Sequence, residues 1–113
     1  MKTAIAGLAL CLMTTVAHAH SPLSSTSPQD GAVLAIAPIE LSLAYAKGIR
    51  LTRVQLVDAE ESAIDLDLND YSAFDTDFIL TLPVMESGQY QIEWRGLGED
   101  GHILNGSFGF TVE

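Results

Sequence analysis

The chain has 113 residues, with fifteen acidic side chains against five basic ones and a formal net charge of −10. One domain is the most that such a length accommodates. The acidic balance argues against nucleic acid and against anionic membrane surfaces as partners, because both repel a polyanion.

The first element is a secretory signal. Lys2 gives a positive start, Ala4 to Val16 is a short and mostly apolar run, and Ala17-His18-Ala19 fits the small-x-small pattern of a cleavage site. The run is shorter than the roughly 20 residues that span a bilayer. Cys11 raises the alternative of lipoprotein processing, but Leu10 stands where a small residue is required. Residues 1–19 are therefore read as signal, and residues 20–113 as the mature domain. Cys11 and Lys2 leave with the signal, so the mature chain has no thiol, and four basic side chains face fifteen acidic ones.

Beyond His20 the pattern is one of strands. Ala32 to Ala37 is expected to make at most a helical turn before Pro38. Leu41, Leu43 and Tyr45 share one face of a strand. Val54 and Leu56 share another, followed by Ile64, Leu66 and Leu68, then Phe78, Leu80 and Leu82. Tyr90, Ile92 and Trp94 alternate with polar residues, and Phe108, Phe110 and Val112 close the chain. Turn residues separate the runs, among them Asp30-Gly31, Lys47-Gly48, Asp58 to Ser62, Ser87-Gly88 and Gly96 to Gly101. No apolar period of 3.6 residues persists over ten residues. The expected fold is all-β, a sandwich or small barrel of about seven or eight strands, with Tyr90, Ile92, Trp94, Phe108 and Phe110 in the core. The acidic stretch Asp65 to Asp77 lacks the ligand spacing of a calcium loop.

The mature chain holds two histidines, His20 and His102. An α-amine has a pKa of about 8, well below that of lysine, and binds metal near neutral pH. With Nδ1 of the same histidine it closes a chelate that an internal histidine cannot make. Pro22 at the third position has no N–H, which rules out a site built on successive deprotonated amides. Asp100-Gly101-His102 offers a carboxylate and an imidazole at i and i+2, which point the same way on extended backbone. The set His20, Asp100 and His102 supplies nitrogen and oxygen donors suited to tetragonal Cu(II). Zinc competes for such ligands but prefers a tetrahedron. On the residues alone, His102 as a plain turn histidine and His20 as a frayed terminus stay open as the alternative. Met85 is the one sulfur left for Cu(I) after processing.

Taken in order, several segments resemble the CopC family of periplasmic copper-binding proteins. They are His20 directly after the signal, Ser27-Pro28-Gln29-Asp30-Gly31-Ala32-Val33-Leu34, Pro38 before Leu41-Ser42-Leu43-Ala44-Tyr45, Ser87-Gly88-Gln89-Tyr90, Ile92-Glu93-Trp94-Arg95, Asp100-Gly101-His102 and Gly106-Ser107-Phe108-Gly109-Phe110. The resemblance implies an immunoglobulin-like Greek-key β-sandwich. It implies one Cu(II) held by His20, Asp100 and His102, periplasmic copper handling, and an inner-membrane partner of the CopD type. The chain departs from the pattern in lacking a methionine-rich loop. It has Lys47 where many members carry an acidic residue, and Gly96-Leu97-Gly98-Glu99 where many have a serine. A non-enzymatic carrier or buffer is the expected role. A copper-dependent redox enzyme using the same terminal histidine, and a metal-free adhesion sandwich, are the alternatives.

Overall fold

The computed structural model describes residues 22–113. The expected signal, its cleavage point and His20 lie outside the described residues. Among the described residues seven strands are present and no helix: β1 (Leu23–Ser27), β2 (Ala32–Leu34), β3 (Glu40–Asp58), β4 (Ala63–Asp65), β5 (Asp75–Thr81), β6 (Gly88–Gly98) and β7 (Ile103–Val112). The fold class is the all-β sandwich read from the alternation.

β3 builds the architecture because it changes partners along its length. Its first half pairs with β1, Leu23 opposite Tyr45, and with β5, Leu41 opposite Leu80. Its second half pairs with β6, Ile49 opposite Gly98 through Asp58 opposite Tyr90, and with β4. β6 continues to β7, and β2 lies parallel to the end of β7. Lys47-Gly48, expected as a turn between strands, is instead where this one strand passes from one layer to the other. A bulge follows at Leu51–Arg53, and the extra residue flips the inward phase. Leu41, Leu43, Tyr45, Ile49 and Leu51 point inward at odd numbers, and Val54 and Leu56 at even ones.

The layers close over one apolar core that contains Ile92, Trp94, Phe108, Phe110 and Phe78. Tyr45 sits at its centre, edge-on to Phe78 at 5.8 Å and to Trp94 at 5.2 Å. Gly106 faces Trp94 across β6 and β7, and a Cβ there would lie 2.8 Å from the indole. The glycine is the space that the tryptophan occupies.

Three expectations are corrected. Tyr90 is half-buried, because its hydroxyl reaches out to donate to the Glu86 carbonyl at 2.7 Å. Ile64 is 50% exposed, since β4 is a short outer strand whose far face nothing covers. Ala32 to Leu34 form a strand, not a helical turn. The Asp30 carboxylate accepts the Gly109 N–H at 3.0 Å, and Gly31, at φ +83°, donates to the Gly109 carbonyl at 2.7 Å. These bonds lay the chain alongside β7, where a ladder outweighs one local turn.

Candidate metal centre

The β6–β7 connection folds on itself. The Gly98 N–H donates to the His102 carbonyl at 2.9 Å, and the Gly101 N–H donates to the Gly98 carbonyl at 3.0 Å. Gly101 has φ +89°, a conformation that glycine adopts without steric cost. Asp100 ties the turn together: its Oδ1 accepts the His102 N–H at 3.0 Å, and its Oδ2 lies 3.0 Å from His102 Nδ1. A short polar side chain bonding the backbone two residues on is a common turn former.

On extended backbone Asp100 and His102 would point the same way. They meet instead across a tight turn, through direct hydrogen bonds, so the juxtaposition holds for a different reason. Both side chains are open to solvent, His102 at 80% and Asp100 at 68% exposure. The hydrogen bond from the His102 N–H, and then the one from its ring, hold the Asp100 carboxyl below the usual carboxylate range. With Nδ1 as the donor to Asp100, the lone pair of the ring falls on Nε2, free for a metal.

In the sequence Gly98 stands out only as a departure from the family pattern. A Cβ at Gly98 would lie 3.0 Å from Asp100 Oδ1 and 3.3 Å from the Leu104 side chain. The glycine therefore gives the carboxylate room to fold back onto His102. Glu99 lies over the bend of β3, where a Cβ on Gly48 would come within 2.8 Å of its Oε2. That contact brings the bend against the turn.

The described chain enters at the same place. The Ala46 N–H donates to the Pro22 carbonyl at 2.9 Å, two residues before Gly48. Lys47 is exposed between them. Among the described residues no group of three or more His, Cys, Asp or Glu stands together as a metal site. Asp100 and His102 thus give two donor side chains, and a full shell needs others.

A match to the CopC domain covers residues 23–113. The chain belongs to the CopC family. It is 25% identical to Copper resistance protein C of Xanthomonas campestris pv. juglandis, over 100% of this chain and 95% of that protein. It is also 25% identical to Copper resistance protein C of Pseudomonas syringae pv. tomato, over 90% of this chain and 87% of the relative. Among solved structures it is similar to CopC from Methylosinus trichosporium OB3b, with a TM-score of 0.69 and 25% identity over 83% of this chain and 94% of that one. PcoC, a methionine-rich copper resistance protein from Escherichia coli, shares the fold at a TM-score of 0.60 and 23% identity, over 84% and 100% of the two chains. Within this CopC chain the described methionine, Met85, is 8% exposed and belongs to the core.

Proposed function

We propose that this CopC chain is exported, cleaved after Ala19, and binds one Cu(II) in the periplasm as a copper carrier or buffer. The ligands are the amine and Nδ1 of His20, the imidazole of His102 and the carboxylate of Asp100. The observation that carries this reading is the shared end of the sandwich. Pro22 is bonded beside the β3 bend, the bend touches Glu99, and Glu99 precedes Asp100. His20 stands two positions before Pro22, and two extended residues span about 7 Å. The donor chemistry fits a tetragonal N/O ion. Before the metal arrives the Asp100–His102 bond keeps the two donors together in the turn, and it would open when both take up the metal. A CopD-type transporter of the inner membrane is the proposed recipient. Five of the eight aromatic rings, those of Tyr45, Phe78, Trp94, Phe108 and Phe110, are buried, which leaves few for a flat aromatic substrate face and favours a carrier over such an enzyme.

Three proteins test the site: one beginning at His20, one with a single residue added before His20, and His102→Ala. The extension turns the amine into an amide and opens the chelate, so Cu(II) affinity is expected to fall by at least about tenfold, for a lost ligand worth about 1.4 kcal/mol or more. His102→Ala should lose a nitrogen from the electron paramagnetic resonance spectrum, and Asp100→Ala should weaken binding less. An unchanged affinity and spectrum in the extended protein would place the copper elsewhere.

A further inference from the structure

The end of the sandwich away from the β6–β7 turn is apolar at its surface. Val84 is 100% exposed there, Ile36 82% and Ile39 78%. Single exposed aliphatic residues are ordinary, but these stand on loops that the fold brings together. The Leu82 N–H donates to the Ile39 carbonyl at 2.9 Å, which lays the β2–β3 loop against the β5–β6 loop. The Glu113 N–H donates to the Leu34 carbonyl at 2.8 Å, two residues before Ile36. Val84 and the half-exposed Ile64 line one groove of about 320 Å³ with Pro83 and Met85. The described chain begins at the other end, where Pro22 is bonded beside the β3 bend.

The charge around these side chains has one sign. Glu40 follows Ile39, and Asp58 and Glu86 line the groove itself. Glu60 and Glu61, in the turn after Asp58, and the terminal Glu113 are exposed at the same end. Among the described residues none of these carboxylates has an ion pair. The four basic residues that follow Lys2 lie elsewhere. Lys47 and Arg50 stand at the β3 bend, and Arg53 and Arg95 pair across β3 and β6.

We propose that this end docks a basic, apolar segment of a partner protein. Aliphatic side chains of the segment cover Val84, Ile39 and Ile36, and its lysines or arginines meet Glu40, Glu86 and Asp58 around them. A second copy of this chain, paired through the same end, fits less well, because it brings the same carboxylates and no basic residue to the contact. A lipid surface also fits less well, since apolar anchors on membranes are flanked by basic residues and these flanks are acidic. The proposed metal turn is at the opposite end, so an occupant leaves it open. The inference does not rest on the copper reading.

The test is amide shift mapping of the ¹⁵N-labelled protein with the probe peptide acetyl-Lys-Leu-Leu-Lys-Leu-Lys-amide and two controls. One control has glutamate in place of lysine, the other serine in place of leucine. The probe is expected to move the amides of Ile36, Ile39, Val84 and Glu86, and both controls to move them far less. Ile39→Ser with Val84→Ser should weaken the probe at least about tenfold, the worth of one buried aliphatic side chain. Both side chains are exposed, and such substitutions change stability little. Glu40→Gln with Glu86→Gln should weaken the probe several-fold and flatten its salt dependence, while the Glu86 carbonyl keeps its bond to Tyr90. No shifts, shifts elsewhere, or equal binding of either control overturns the proposal. So does movement of the same amides with protein concentration alone, which would assign the end to a second copy. Movement with phosphatidylcholine vesicles but not with the probe would assign it to a membrane and overturn the proposal as well.

Discussion

Tyr45 shows how much one side chain can report. It is 4% exposed, and its hydroxyl is buried with no hydrogen-bond partner among the described residues. Burial pushes the phenol well above its ordinary pKa. A buried hydroxyl without a partner costs about 1–3 kcal/mol, so Tyr45→Phe is expected to leave stability unchanged or raise it by about 1 kcal/mol in urea unfolding. The pH dependence follows from the direction of the shift. Above about pH 10 the unfolded phenol ionises while the folded one stays protonated, so the native state binds more protons and stability falls as pH rises. Tyr45→Phe should remove that part of the alkaline loss, and an unchanged alkaline slope would contradict it. At the proposed metal turn the same linkage runs the other way. The lowered carboxyl of Asp100 keeps its charge further into acid, so acid release of copper should follow protonation of the nitrogen donors.

At the scale of elements, the β6–β7 hairpin depends on one large and one absent side chain. A Cβ on Gly106 would come within 2.8 to 2.9 Å of three atoms of the Trp94 indole. Gly106→Ala should therefore cost about 1–3 kcal/mol through overpacking, and Trp94→Ala about 3–5 kcal/mol through the cavity it leaves. The double variant should cost clearly less than the two added together, since the new methyl occupies space the ring has vacated. Additive losses in chemical denaturation would mean that the two positions do not meet. Trp94 was legible as core from its alternation with Glu93 and Arg95. The need for glycine at Gly106 was not, because it depends on which residue of another strand lies opposite.

For the whole molecule, the sulfur content bears on the proposed preference for Cu(II). Soft Cu(I) favours thiolate and thioether ligands, and Met85, 8% exposed, is enclosed by the core. Anaerobic reduction of the Cu(II) protein is expected to release the metal to a Cu(I) chelator without a stable one-to-one Cu(I) form. Tight retention after reduction would show a sulfur-independent Cu(I) site.

The sequence by itself determined the all-β class, most of the core and the pair Asp100 and His102. Each follows from local spacing: a period of two for the buried faces of β3, β5, β6 and β7, and a single glycine between Asp100 and His102, close enough for a turn to join them. Only the tertiary structure decided where those pieces meet. Lys47-Gly48 reads as a turn because glycine interrupts the alternation, yet β3 runs through it, since pairing with β5 on one side of the bend and β6 on the other satisfies its backbone. Ala32 to Leu34 became a strand through bonds between Asp30, Gly31 and Gly109, about eighty residues apart. Gly98 matters to the turn because Asp100 folds back over it, and Pro22 because Ala46 holds it beside the bend. A period encodes which way a side chain points, whereas its neighbour is set by long-range register, and register is fixed only when the layers close on one core.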